Sequence, residues 1–414
     1  MSGRWLPSNE VELEAGLSSG LGAEGHFFDA KRELAPGATG SRKLAVDVAS
    51  FAVDGGLIVV GVAEDKEQRT FSLHPVPLAG LAERVDQVAR SLVDPPLQVA
   101  CTEVLASTAG TGYLLISVPA SPLAPHMVDG KYRGRGDTTN VVLSDGEVRR
   151  LHERAMLHRA RATEILRAEI ARDPSPPTTQ PEAHLFVIAQ PVTADDELLF
   201  RAVGAEGLAG WVRSRVQQGA PCRNAGTSYS PDLGSMATEV SRRADGVALA
   251  TYQVGPGRVP RPNGPAGVED TDMLELEVRE DGGLRLFCGR GSKVIGDEEK
   301  RVAFEAAIAG LTIRVLLVAA EVVATTGYGG SWDLGLAVTH LRGCHAYSLH
   351  NQYGSRFIDV PYSADSYEQV VRVDSDALVR SPVEVLESLY GRLHRGLSGG
   401  DVPIRDLVAR FLSD

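Results

Sequence analysis

The chain has 414 residues, with 42 Lys+Arg against 54 Asp+Glu and a formal net charge of −12. This balance excludes a broadly basic nucleic-acid coat, so any grip on phosphate must come from a local concentration of positive charge. The length predicts two domains rather than one, and 43% hydrophobic residues are ample for ordinary soluble cores.

The first informative stretch is 24–65. Glu24-Gly-His-Phe-Phe-Asp29-Ala-Lys31 predicts a strand in which Phe27 and Phe28 are buried while Asp29 and Lys31, two apart, share one face. A helix follows over 42–53, with Leu44, Val46, Val48, Ala49, Phe51 and Ala52 on its apolar side. Asp54-Gly55-Gly56 stops it, because glycine supplies the φ > 0 of a helix C-cap. Leu57-Ile58-Val59-Val60-Gly61-Val62 then reads as a buried strand that delivers Glu64 and Asp65 to its exit. Carboxylates and a lysine are gathered at one end of a small strand–helix–strand unit.

This order of acid, acid, lysine, helix, Gly-Gly, apolar strand and acid resembles the Schlafen/AlbA-like domain. The resemblance continues through Tyr132-Arg133-Gly134-Arg135-Gly136-Asp137-Thr138-Thr139 and the following Gly146-Glu147-Val148-Arg149-Arg150-Leu151, and covers roughly the first 155 residues. The family usually has glutamate and an aromatic before the lysine where this chain has Asp29-Ala30, and aspartate where it has Glu64. Each swap keeps the charge and alters the reach.

Further along, charges alternate through a helix predicted over 144–172, and the proline-rich run 173–181 reads as an exposed linker. The expected organisation is therefore a Schlafen/AlbA-like α+β domain with its trailing helix over 1–172, a linker over 173–183, and a second α+β domain with a mixed or antiparallel sheet over 184–414. In the second domain a strand is expected at 185–188, helices at 195–203 and 208–217, and strands near 247–254, 274–278 and 284–288. The last two are joined by the hairpin turn Arg279-Glu-Asp-Gly-Gly283. A long helix over 298–326, a strand over 332–340 and two short helices at 383–393 and 404–412 complete it.

Cys101, Cys222, Cys288 and Cys344 are scattered with no C-x-x-C pair, which argues against a zinc ribbon or a secreted disulfide framework and fits a reduced cytoplasmic setting. Met1-Ser-Gly-Arg-Trp lacks an apolar signal core, and the most apolar run, 302–324, carries Glu305, Arg314 and Glu321, so no membrane span is expected. His340-x3-Cys344-His345-x4-His350 has a superficial metal-ligand spacing, but a strand–turn–strand would split these side chains between faces.

The chemistry open to Glu24, Asp29 and Glu64 is divalent-metal-assisted phosphodiester cleavage. Their hard oxygens suit Mg²⁺ or Mn²⁺, which lower the pKa of a bound water and neutralise charge on the transferring phosphorus, while Lys31 would hold a non-bridging oxygen. In the resembled family, acids at these positions form the active site of lobes that cut structured RNA, tRNA in particular, so the resemblance implies a metal-dependent endoribonuclease, possible in a defence role. Nucleic-acid contact is expected at Lys131, Tyr132, Arg133 and Arg135, where a tyrosine able to stack on a base is flanked by cations. RNA is favoured and DNA possible. The alternatives are a non-catalytic nucleic-acid-binding regulator with the same domain and a protein-interaction module. The chain carries one copy of the motif where many animal proteins of the resembled family carry two facing lobes, which motivates an expected homodimer with helix 298–326 as its surface.

Overall fold

The computed structural model describes residues 7–19, 25–65, 70–136, 138–174, 182–192, 194–219, 221, 231–259, 261, 272–295, 300–349, 360–398 and 402–412. The protein is α+β, with two compact units, Met1–His158 and Arg159–Asp414. The division falls inside the helix expected to trail the first domain. Most of the expected linker lies outside the described residues.

The first unit is organised by a β–α–β crossover. Strand β1 (Phe28–Lys31) pairs in parallel with β2 (Gly56–Val60), and helix α2 (Gly37–Phe51) connects them, as parallel neighbours require. An earlier helix, α1 (Glu10–Ser18), is capped by the Asn9 side chain. The register Asp29↔Ile58 and Lys31↔Val60 sets these four residues on one face of the sheet, and Phe28, Ala30, Leu57 and Val59 on the other. The first face is covered by α2 and α3 (Leu81–Ser91), whose Leu44, Val48, Phe51, Val85 and Val88 pack with Ile58 and Val60. The second meets Leu13 and Leu17 of α1. Phe28 is buried as expected, but Phe27 is 45% exposed.

The buried strand expected over 57–62 ends at Val60. Gly61 takes φ +97, and β3 (Val62–Asp65) leaves to form a separate two-stranded sheet with β4 (Thr70–Leu73). Short β5 (Val76–Pro77) and longer β6 (Ala100–Leu105) pair with β7 (Thr111–Val118), which lies against β2. A three-stranded ribbon, β8 (Met127–Val128), β9 (Lys131–Arg135) and β10 (Asn140–Val142), carries the expected contact residues. Helix α4 (Asp145–Ala171) follows, opened by a capping box in which the Ser144 amide and hydroxyl donate to Glu147 Oε2 at 2.8 and 2.7 Å.

In the second unit every pairing of the seven-stranded sheet is antiparallel. Its strands are β11 (His184–Pro191), β12 (Glu239–Arg243), β13 (Gly246–Ala250), β14 (Leu274–Arg279), β15 (Leu284–Cys288), β18 (Ser331–Thr339) and β20 (Tyr367–Asp374), in the order β12-β13-β14-β15-β11-β18-β20. A smaller sheet joins β16 (Ser292–Ile295), β17 (Lys300–Ala303) and β19 (His345–Ala346). The long helix expected over 298–326 is thus two elements, β17 and then the apolar helix Glu305–Thr326. That helix is long and apolar enough to cross a membrane, yet its Ile308, Leu311, Val315, Leu316 and Val322 are buried in the main core of the unit. Most of its apolar surface is thus used within the chain.

The opposite face of the large sheet is partly ionic. Glu275 and Glu277 of β14 point away from the main core, and Arg258 bridges Glu275 at 2.7 Å to Glu169 of α4 at 2.8 Å. Arg172 reaches Glu169 at 3.0 Å and Glu277 at 3.5 Å. Burial pulls the Arg285 guanidinium on the same face down to about 10. These pairs, with Leu166, Phe186, Ile188 and Phe287, seat the end of α4 on the sheet.

The Gly55-Gly56 pair serves two different needs. Gly55 has φ +80, whereas Gly56 is required by space: a Cβ there would lie 2.1 Å from Cδ1 of the buried Phe51 ring and 2.9 Å from the Phe27 carbonyl oxygen. Gly56→Ala is therefore expected to destabilise the protein by about 1–3 kcal/mol, since the enclosed ring has little room to yield. Urea denaturation gives the measurement, and an unchanged midpoint would show that the ring moves freely.

Candidate functional site

Asp29 and Lys31 emerge from β1 on the face covered by α2, and there they meet Asp47. The Lys31 ammonium lies 2.9 Å from Asp29 Oδ2 and 2.9 Å from Asp47 Oδ2. Asp47, only 8% exposed, accepts a second bond from Asn140 Nδ2 at 2.6 Å, which ties the cluster to β10. Burial works to lower the Lys31 pKa, but attraction first to Asp47 and then to Asp29 outweighs it and the net shift is upward. Burial raises the Asp47 carboxyl, with Lys31 offsetting part of the effect.

Arg135 completes the cluster. It faces Asn140 across the β9–β10 ladder, and its guanidinium donates to Asn140 Oδ1 at 3.2 Å and to the carbonyls of Gly25 at 3.0 Å and Phe28 at 3.2 Å. It also lies 4.1 Å over the Phe51 ring. Three of its five N–H donors are thus engaged in the fold, in contrast to the expected phosphate contact. Arg133 shares this face of β9 and buries its Nε without a hydrogen bond among the described residues. Lys131, at the start of the strand, is exposed and makes no ion pair among the described residues. Tyr132, on the other face and half-exposed, meets the His152 ring edge-on at 5.7 Å.

The start of α4 adds Arg149, paired within the helix to Asp145 at 3.0 Å, and Arg150, both exposed. Arg154 is engaged elsewhere, donating to the Val53 carbonyl at 2.6 Å and lying 3.4 Å from Asp54, which also holds His26 at 3.0 Å.

The expected acid trio is only partly placed. Glu24 lies outside the described residues. Glu64 follows Val62 along β3, on the side that packs toward Phe28 and Leu57, whereas Asp29 points to the α2 face. Its Oε2 is buried with no hydrogen bond among the described residues. No set of three described His, Cys or carboxylate ligands within 4.8 Å of one another includes Asp29 or Glu64; such a set does occur in the second unit, at Asp173, His184 and His340. Asp47 and Asn140 were missed by sequence reading. The signal for Asp47 was present, as a carboxylate among the buried positions of an amphipathic helix; that for Asn140 needed the strand pairing.

No family model matches the chain, and no curated protein matches it in sequence. Among solved structures it is similar in part to the DIP2311 protein from Corynebacterium diphtheriae, at 24% identity and a TM-score of 0.20 over 28% of this chain. The match spans 21% of that protein's length and carries no argument about fold or function.

Replacing Asp47 leaves a half-buried ammonium with one carboxylate instead of two. Asp47→Asn is expected to lower stability by about 1–3 kcal/mol at pH 7. Because the folded-state pKa of Lys31 is raised, its contribution is complete below the unfolded value of about 10.4 and is lost as pH rises through the higher folded value, so the gap between the two proteins should narrow there. Urea titrations of both proteins across that range provide the check, and a pH-independent gap would contradict the assignment.

Proposed function

We propose that the first unit is a nucleic-acid-binding domain of the Schlafen/AlbA-like kind, with its contact surface along β9 and the first turns of α4. The observation that carries this reading is the placement of exposed Lys131 on β9, with half-exposed Tyr132 beside His152 and exposed Arg149 and Arg150 on α4, in a chain that is otherwise acidic. Cations supply the phosphate grip, and the tyrosine offers a ring for base stacking. RNA is the favoured ligand on the strength of the sequence resemblance.

Binding without cleavage is the form the geometry supports best, because Asp29 is already paired with Lys31, which it shares with Asp47. One observation favours a second reading, in which structured RNA is cut at a Mg²⁺ or Mn²⁺ site that includes Glu64, with Asp29 turned to the other face of the sheet. A buried carboxylate oxygen without a hydrogen bond, as at Glu64, is the kind of group that a cation satisfies. A homodimer belongs with either reading, since a single lobe offers few phosphate contacts.

In the full chain, the combined change Lys131→Ala, Arg149→Ala and Arg150→Ala should flatten the plot of log affinity for RNA against log salt by roughly 2–3 units, at about 0.7–0.9 for each phosphate that is no longer neutralised. An unaltered slope would place the contact surface elsewhere. Incubation of the unmodified chain with total tRNA, Mn²⁺ and an EDTA control separates the two readings: intact RNA is expected, and metal-dependent cleavage abolished by Glu64→Gln would establish the second.

A further inference from the structure

The second unit brings together three ligands that no sequence motif connects. Asp173 follows the last turn of α4, His184 is the first residue of β11, and His340 follows the last residue of β18. The pairing His184↔Thr339 sets the two histidines at adjacent strand ends, and the seating of α4 on the sheet carries Asp173 to the same place. Both Asp173 oxygens lie 2.9 Å from His184 Nδ1, and His340 Nε2 lies 3.7 Å from Asp173 Oδ2. All three ligand atoms fall within 4.8 Å of one another.

We propose that Asp173, His184 and His340 form a binding site for a divalent transition-metal ion of the zinc class, which fastens the end of α4 to the β11–β18 pair. A tetrahedral ion with bonds of about 2.0–2.1 Å to nitrogen and oxygen separates its ligands by about 3.3 Å, and the two separations from Asp173, 2.9 and 3.7 Å, lie on either side of that spacing. The donor set fits as well: two imidazoles and one carboxylate suit zinc and its first-row neighbours, whereas Mg²⁺ and Ca²⁺ prefer all-oxygen shells.

Burial is graded in the way such a site needs. His184 is fully buried, its ring held edge-on against Phe287 at 5.5 Å, while the His340 side chain is 33% exposed and leaves a way in. His340 also adopts φ +57, uncommon for a residue other than glycine, with its carbonyl held by Arg301 at 2.9 Å. The Cys344 and His345 side chains of the sequence spacing are not in the set. The site is independent of the nucleic-acid reading.

The test uses the metal-stripped full chain, titrated with Zn²⁺ by calorimetry and with Co²⁺ by visible absorption. One equivalent is expected to bind, with the intense ligand-field bands of a four-coordinate cobalt site. His340→Asn keeps a side chain that tolerates positive φ, and Asp173→Asn keeps the shape of the carboxylate; each is expected to weaken binding by roughly a hundredfold while far-ultraviolet circular dichroism stays unchanged. Failure of the unmodified chain to bind either ion, or binding undiminished in both variants, overturns the proposal. The titration of the unmodified chain decides it even if a variant fails to fold.

Discussion

The first unit depends on one ammonium held between two carboxylates. Lys31 leaves β1 on the face that α2 covers, a place where an unpaired charge would be costly, and Asp29 and Asp47 make the position tenable. Asp47 belongs to α2 and receives Asn140 of β10, and Asn140 in turn orients Arg135 of β9 over Phe51. The chain of contacts therefore runs from the crossover strand through the helix to the ribbon. Gly56 fits the same plan, because only a residue without a Cβ lets the Phe51 ring lie where Arg135 stacks upon it. A polar cluster of this kind fixes the angle of the ribbon as well as adding stability, so Lys131 and Tyr132 are presented by a braced strand.

Much of the fold was legible because local pattern and tertiary environment agree. The apolar periodicity of α2, the run Leu57–Val60 and the hairpin at Arg279–Gly283 all formed as read. The boundaries that failed are those where one residue changes the backbone direction without changing the hydrophobic pattern. Gly61 turns an apolar run into two strands of two sheets, and β17 precedes the long helix of the second unit in an apolar stretch that periodicity does not divide. The site was less legible than the fold, because the partners that decide a side chain's role are distant in sequence. Arg135 reads as a phosphate ligand beside Lys131 and Arg133, and only the pairing with Asn140 and the ring of Phe51 shows most of its donors turned to the fold. The sequence argues against the histidine spacing around Cys344 as a metal site, and of its members only His340 falls beside Asp173 and His184, which come from before and after a proline-rich stretch; His350 lies outside the described residues.

The two units use charge differently. In the first, Lys131 on β9 and Arg149 and Arg150 on α4 are exposed, where a polyanion can reach them. In the second, Arg258, Arg172 and Arg285 are turned inward against Glu169, Glu275 and Glu277, and the guanidinium groups are consumed in seating a helix on a sheet. A net charge of −12 thus hides an uneven distribution, and the proposed interface rests on where the cations lie rather than on their number.

The central claim, that β9 and the start of α4 form the nucleic-acid surface, is tested most directly by amide hydrogen exchange of the full chain with and without a structured RNA. The account predicts protection concentrated in residues 131–135 and 145–152, with β11 and β18 of the second unit unchanged. Exchange unaffected by RNA in these two segments, or protection confined to the second unit, would contradict it.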